Sequence, residues 1–263
     1  MSGLYTEVRG SGPTVVLLHG WGLNLRVWDG LAAVLQERFR IVAVDLPGHG
    51  RSEWLPERSS LEEQAAQIQE TVSAITESYS LLGWSLGGQI ALRLAAAQPA
   101  GLDRLVLIAA TPRLPVAPDW PYGAPPERLA QQAASLRADY RRTVSDFLEL
   151  QVRGSADAAA ALSQLRTALF AHGTPDHTSV DALACGLELL RHTDLRTLLA
   201  QITLPTLVIA GQYDRVTMPA ASHALADALP NAQYVEIRRA AHAPFLSHLP
   251  QLSELLTDFL LQP

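Results

Sequence analysis

The chain has 263 residues, of which 48% are hydrophobic and 17% charged, and its 20 basic and 26 acidic residues give a net charge of −6. This length is ample for a substantial core, and the near-average composition excludes a disordered, collagen-like or disulfide-scaffold chain. The acidic balance argues against general nucleic-acid binding, because attraction to phosphates needs a basic surface.

All 20 basic residues are arginines. The absence of lysine excludes Schiff-base chemistry, a pyridoxal-phosphate anchor and a Walker lysine. Cys185 is the only cysteine, so neither an intrachain disulfide nor a multi-cysteine metal site can form. Residues 1–10 lack an apolar signal region, and no apolar run approaches the length of a membrane span. We therefore expect a cytoplasmic protein with no membrane association.

Short apolar runs of β type alternate with longer stretches of helical period, a pattern typical of an α/β protein with a mostly parallel sheet. The predicted strands are residues 15–18, 41–44, 80–82, 105–109, 206–210 and 234–237, with residues 4–8 as an antiparallel edge strand. The predicted connecting helices are residues 27–38, 61–77, 86–98, 220–229 and 252–261. Continuous apolar runs such as residues 15–18 favour central strands that are buried on both faces.

Residues 111–201 interrupt this alternation, because they contain no convincing strand. The segment begins with a proline-rich loop and then becomes helical. Open α/β sheets bind ligands at the carboxyl ends of their strands, so we expect the segment to be a lid over the active site. The predicted organisation is an α/β core in two parts, residues 1–110 and 202–263, separated by a helical lid at residues 111–201.

Residues 83–88 (GWSLGG) follow one predicted strand and open a predicted helix. A G-x-S-x-G motif between a strand and a helix is the pattern of a nucleophile elbow. Its glycines permit a sharp turn that exposes the hydroxyl of Ser85 on a strained backbone. The alternative is a glycine-rich turn that happens to contain serine. The strand and helix on either side favour Ser85 as a catalytic nucleophile.

A serine hydroxyl needs a base to remove its proton, and in this type of fold the acid and then the histidine follow the serine along the chain. Asp214 comes shortly after the predicted strand 206–210, and His242 comes shortly after the predicted strand 234–237. We therefore predict a catalytic triad of Ser85, Asp214 and His242, in which Asp214 orients the imidazole.

Other residues compete for these two roles. Asp45 also follows a predicted strand and is the alternative acid, although it precedes Ser85 in the chain. The histidines other than His242 are interpreted as structural, capping or solvated side chains: His19, His49, His172, His177, His192, His223 and His248.

The loop at residues 19–22 (HGWG) is predicted to help form an oxyanion hole. In this type of fold one backbone N–H comes from that loop and another from the residue after the nucleophile, here Trp21 and Leu86. The alternative is an ordinary strand-to-helix turn. Residues 45–52 form a second glycine-rich loop, which we interpret as a structural turn near the site.

Together these motifs resemble the α/β-hydrolase superfamily over essentially the whole chain. The chain is also similar to a narrower family, the pimeloyl-acyl carrier protein methyl ester esterases of biotin synthesis. The similar segments are residues 19–24, 83–88, 119–121, 142–144, 147–151, 186–190 and 240–245. Several of these segments lie in the predicted lid, which matters because the triad motifs recur among many activities.

The resemblance implies removal of a methyl ester from a pimeloyl chain carried on acyl carrier protein, with release of methanol. It further implies that the following residues contact the substrate: Trp21, Ser85, Leu86, Phe147, Leu148, Glu149, Leu150, Gln151 and His242. The alternative for the segment 147–151 is a place in the lid core. Lid arginines are the expected docking site for the acidic carrier, unless they only form a solvated helix face: Arg137, Arg141, Arg142 and Arg153.

We thus expect a monomeric serine carboxylesterase that works through an acyl-enzyme on Ser85 and requires no metal or organic cofactor. The first alternative is a broad short-chain esterase that has no carrier partner. A second is another hydrolase chemistry, such as carbon–carbon or lactone hydrolysis. A third is a hydrolase-like ligand receptor, which would bind or slowly turn over one molecule in order to signal to a partner.

Overall fold

A seven-stranded sheet forms the centre of the computed structural model, which describes residues 3–170 and 179–262. In chain order the strands are β1 (Thr6–Arg9), β2 (Thr14–Leu18), β3 (Arg40–Val44), β4 (Tyr79–Trp84), β5 (Leu102–Ile108), β6 (Thr206–Gly211) and β7 (Ala232–Ile237). In space their order is β1-β3-β2-β4-β5-β6-β7, and only the β1–β3 pair is antiparallel. The predicted parallel sheet with one antiparallel edge strand is therefore confirmed.

The burial of each strand agrees with its position in the sheet. Every residue of β2 and β6 is buried, as expected of strands that are covered on both faces, whereas the two edge strands are only partly buried. The edge strand β1 begins two residues later than predicted. The N–H groups of Leu4 and Tyr5 donate instead to the side chains of Thr71 and Ser52, so this part of the chain is held outside the sheet.

Ten α-helices accompany the sheet in the described part of the chain. They are α1 (Asp29–Leu35), α2 (Leu61–Ser73), α3 (Leu86–Ala96), α4 (Pro126–Ala138), α5 (Tyr140–Val152), α6 (Ala158–Phe170), α7 (Val180–His192), α8 (Pro219–Ala228), α9 (Pro244–Ser247) and α10 (Leu249–Leu260). The predicted helix 27–38 is shorter than expected, because a 3₁₀ turn at Leu25–Trp28 precedes α1. Helix α2 begins with a capping box formed by Ser60 and Glu63.

Helices α4 to α7 all lie between β5 and β6, within residues 111–201, which we name the helical insertion. Apart from isolated bridges near its proline-rich start, its described residues contain no β-structure. His172 and His177, which are interpreted from the sequence as structural, capping or solvated side chains, lie outside the described residues. Among the described residues, no helix is long and apolar enough to cross a bilayer.

The two ends of the helical insertion are tied together by charged groups. Arg196 contacts Asp119 at 2.9 Å and Asp194 at 2.7 Å, and Arg113 contacts Asp194 at 2.9 Å. The hydrogen bond from Arg196 lowers the pKa of Asp194 to about 2. Because β5 and β6 are also neighbours in the sheet, the insertion leaves the core and returns to it at adjacent strands.

Candidate active site

Ser85 lies at the junction of β4 and α3. Its backbone has φ 56° and ψ −116°, a conformation that residues other than glycine rarely adopt. The neighbouring glycines make this turn possible. A Cβ atom on Gly83 would lie 2.4 Å from the carbonyl oxygen of Gly87, and one on Gly87 would lie 2.5 Å from that of His19. The strained turn is thus held by close backbone packing around Ser85.

The side chains of Asp214 and His242 are completely buried and joined by a hydrogen bond of 2.7 Å between Oδ2 and Nδ1. The other carboxylate oxygen of Asp214 accepts from the N–H groups of Val216 at 2.8 Å and Thr217 at 3.0 Å. An ionised carboxylate only accepts, so Nδ1 of His242 carries the proton and Nε2 is left as the acceptor. This is the arrangement that a histidine needs to act as a general base.

His242 is fixed beside the elbow by its own backbone. Its N–H donates to the carbonyl oxygen of Gln151 at 2.9 Å, and its carbonyl oxygen accepts from Nε1 of Trp84 at 2.8 Å. The Trp84 ring, whose centroid lies 5.5 Å from that of the imidazole, belongs to the residue just before Ser85. Nε2 of His242 is buried and has no hydrogen-bond partner among the described residues, so its lone pair is available.

Asp45, the alternative acid, has a structural environment instead. Its two carboxylate oxygens accept from the N–H groups of Leu25 at 2.7 Å and Arg51 at 2.9 Å, and thereby brace the 45–52 loop. The predicted structural role of His19 is confirmed, since Nε2 accepts from the N–H of Leu46 and Nδ1 consequently donates to the carbonyl of Gly20. Burial lowers the pKa of His19 to about 4, which keeps this ring neutral.

Three further histidines lie near the surface and contact their own helices or neighbours. His192 lies 3.2 Å from Glu188, and His223 lies 3.0 Å from Asp227. Nδ1 of His248 is 2.8 Å from the hydroxyl of Ser247. None of these contacts involves the Asp214–His242 pair.

The loop that supplies Trp21 lies directly against the elbow. A Cβ atom on Gly20 would lie 3.3 Å from Cβ of Ser85, so the backbone there approaches the hydroxyl closely. The indole of Trp21 donates to the carbonyl of Leu183 at 2.8 Å and is therefore held by α7. Leu86 is the first residue of α3, where an N–H has no partner within the helix. Both predicted oxyanion donors thus belong to backbone that adjoins Ser85.

Ser85 opens into a cavity between the core and the helical insertion, with about 550 Å³ of empty space including its open mouth. Most of its wall is apolar: Leu114, Ala124, Leu129, Phe147, Leu150, Leu187, Leu190 and Val216. Gln89, Thr111 and Thr217 are uncharged polar lining residues, and Arg128 and Gln132 join them from α4. Such a wall suits a methylene chain, whose burial is favourable by about 0.8 kcal/mol per CH₂.

The cavity lining contains part of the segment 147–151. Phe147 and Leu150 line it, whereas Leu148 borders a separate groove and Glu149 is exposed and paired with Arg166 at 3.0 Å. The reason is that only residues three or four apart share a face of a helix. The expectation of substrate contact through Leu148 and Glu149 is therefore not met by this cavity.

Gln151, the last residue of that segment, is fully buried, and neither atom of its amide has a hydrogen-bond partner among the described residues. The arginines expected to bind the carrier, Arg137, Arg141, Arg142 and Arg153, are all exposed. Arg142 makes only a loose pair with Asp146 at 3.7 Å.

Arg128, Leu187 and Leu190 were not identified from the sequence as cavity-lining residues. The spacing of Arg128 and Gln132 places them on one face of α4. Which face of α4 meets the cavity depends on how the helix packs, and the sequence alone does not determine that packing.

Among the described residues, no group of three or more His, Cys, Asp or Glu side chains is placed to hold a metal ion.

The chain belongs to the alpha/beta hydrolase fold family, whose model matches residues 13–249. It is 39% identical over 248 residues to a pimeloyl-[acyl-carrier protein] methyl ester esterase from Nitrosomonas europaea, covering 94% of this chain and 95% of the relative. It is 43% identical over 256 residues to a protein of the same name from Xanthomonas oryzae pv. oryzae, covering 97% and 98%. The resemblance predicted from the motifs is thereby confirmed over almost the whole chain.

Solved structures confirm the fold class. An esterase from Exiguobacterium antarcticum matches with a TM-score of 0.90 at 23% identity, covering 98% of this chain and 96% of that one. The enol-lactonase from Burkholderia xenovorans matches with a TM-score of 0.83 at 25% identity, covering 98% and 96%. Because these two proteins differ in name while sharing the fold, the fold alone does not identify the bond that is cleaved.

Proposed function

We propose that this chain is a serine carboxylesterase that hydrolyses the methyl ester of pimeloyl-acyl carrier protein methyl ester to pimeloyl-acyl carrier protein and methanol. The observation that carries the proposal is the buried Asp214–His242 pair beside Ser85, at an apolar cavity roofed by the helical insertion. Relatives that match this chain over nearly their full length bear the name of that activity.

The proposed catalytic residues act in two half-reactions. Nε2 of His242 takes the proton of Ser85 as its Oγ attacks the ester carbonyl, and Asp214 stabilises the resulting imidazolium. The backbone N–H groups of Trp21 and Leu86 bind the oxyanion. His242 then protonates the departing methanol and activates a water molecule that hydrolyses the acyl-enzyme.

The remaining substrate contacts are proposed from the shape and charge of the helical insertion. Phe147 and Leu150 hold the methylene chain, and the exposed arginines named above meet the acidic carrier surface. These contacts need neither a metal nor an organic cofactor. We propose a monomer that acts in the cytoplasm.

The test is a mass-spectrometric assay of purified protein with pimeloyl-carrier methyl ester and, separately, with a free short-chain methyl ester. We expect methyl loss from the carrier-linked chain, and no loss with Ser85→Ala, whose fold is checked by circular dichroism. Turnover of the free ester alone would replace the proposal with a broad esterase without a carrier partner. Turnover of neither would favour another hydrolysable bond or a ligand receptor.

A further inference from the structure

Arg128 is the only charged side chain among the described residues that line the cavity at Ser85. It lies in the first turn of α4, and Gln132 follows one turn later and also lines the cavity. Residues four apart share a helix face, so the guanidinium and the amide border the same part of the cavity. The apolar residues listed above make up most of the remaining wall.

Arg128 is exposed, and within the described residues its guanidinium makes neither an ion pair nor a hydrogen bond, while its backbone N–H donates to the carbonyl of Pro125. In the described part of the chain, Arg137, Arg141 and Arg153 likewise make no ion pair but do not line the cavity at Ser85, whereas other arginines of the helical insertion are paired. Arg166 pairs with Glu149 at 3.0 Å, and Arg191 pairs with Glu188 at 2.8 Å. The guanidinium of Arg128 therefore keeps its donors free beside a cavity that has no other charge.

We propose that Arg128, assisted by Gln132, binds an anionic oxygen group that the substrate carries at or beyond the end of its acyl chain, remote from the scissile ester. A guanidinium presents paired N–H donors that match the oxygens of phosphate or carboxylate. The proposal rests on the proposed function, in which the ester end occupies Ser85 and the chain follows the apolar wall. With a carrier-linked ester the anion is the phosphodiester of the carrier's prosthetic arm. With a free half-ester it is the distal carboxylate.

The test compares KM values of wild type and Arg128→Gln on three substrates: pimeloyl-carrier methyl ester, monomethyl pimelate and uncharged dimethyl pimelate. We expect KM to rise about tenfold for an anionic substrate, since a hydrogen bond to a charged group is lost, with kcat little changed. KM for dimethyl pimelate should stay the same. Arg38→Gln, which removes the same charge from an exposed site after α1, is the control for overall charge.

An effect on the carrier-linked ester alone assigns the anion to the phosphodiester, and an effect on monomethyl pimelate assigns it to the distal carboxylate. Equal effects on dimethyl pimelate, or no effect on either anionic substrate, would overturn the proposal. Dissociation constants for the same three compounds, measured by calorimetry with Ser85→Ala with and without Arg128→Gln, answer the question independently of turnover. If the wild-type protein does not hydrolyse the carrier-linked ester, the proposed function is refuted. The comparisons on monomethyl pimelate and dimethyl pimelate still test the role of Arg128.

Discussion

At the scale of single residues, two buried aspartates show how the partners of a side chain decide its role. Asp45 and Asp214 each follow a strand, and each carboxylate is buried with both oxygens accepting hydrogen bonds. For Asp45 these donors are the backbone N–H groups of a 3₁₀ turn and of the 45–52 loop. For Asp214 one donor is the imidazole of His242. The first arrangement stabilises a loop, and the second also orients a base.

We predict that Asp214→Asn lowers kcat by roughly 10⁴ with little change in the fold, because an amide can stabilise the wrong tautomer of His242. The measurement is the hydrolysis of a chromogenic short-chain ester, together with the thermal midpoint. A rate close to that of wild type would reject Asp214 as the acid and return attention to Asp45.

The contrasting variant is Asp45→Asn, in which only one side-chain oxygen remains to accept from the N–H groups of Leu25 and Arg51. Leaving one buried donor unpaired should lower the free energy of unfolding by about 1–3 kcal/mol. Urea denaturation measures this loss, and the folded fraction should keep kcat within a few-fold of wild type. A fall in kcat as large as that of Asp214→Asn would contradict the distinction between the two carboxylates.

At the scale of elements, the contact between α7 and Trp21 connects the helical insertion to the catalytic loop. Gly186 makes that contact possible, because a Cβ atom there would lie 2.7 Å from Cδ1 of the Trp21 ring. The ring has little room to move, since its N–H bonds to Leu183 and its plane meets that of Phe147 edge-on at 5.1 Å. The position of α7 therefore affects the backbone that we propose as an oxyanion donor.

We predict that Gly186→Ala lowers kcat/KM by about tenfold to a hundredfold, because small displacements of catalytic groups are costly. In an unobstructed helix the same change would stabilise the protein by about 0.5–1 kcal/mol. Gly30→Ala in α1 is the matched control, as its new Cβ would only meet Leu249 at an ordinary distance of 3.8 Å. The kinetic constants and thermal midpoints of both variants test this prediction. Equal, near-normal activity in both would show that α7 does not constrain Trp21.

The elements also show what the sequence could and could not predict. Continuous apolar runs and the G-x-S-x-G motif predicted β2, β4 and the start of α3, because burial on both faces and a sharp turn each leave a local pattern. The predicted bounds of helix 27–38 were wrong at both ends. Neither the 3₁₀ turn at Leu25–Trp28 nor the end of α1 has a sequence pattern that marks it. The cavity face of α4 could not be predicted, because tertiary packing determines it.

At the scale of the whole molecule, buried imidazoles connect stability to pH. His19 and His49 lie with ring centroids 5.4 Å apart, beneath the loops on the core side of the site. Burial lowers the pKa of each to about 4, and for His49 the nearby His19 adds to the effect. An unfolded chain would protonate both rings near their ordinary pKa of 6.5. Between these two values the unfolded state binds more protons than the folded state.

We therefore predict that the free energy of unfolding falls as pH is lowered from about 6.5 towards 4. Between pH 7 and pH 5 each buried imidazole should contribute a loss of about 2 kcal/mol. The pKa of Asp194 near 2 places the corresponding loss from that carboxylate below this range.

Urea denaturation of wild type, His49→Gln and His223→Gln at pH 7 and pH 5 measures this dependence. Gln at position 49 cannot be protonated, so the loss between the two pH values should shrink to about half. His223→Gln is the matched control, because it makes the same replacement at an exposed histidine. An undiminished loss in His49→Gln would mean that other groups govern acid sensitivity, because the buried imidazole would then contribute nothing to the difference in bound protons between the unfolded and folded states.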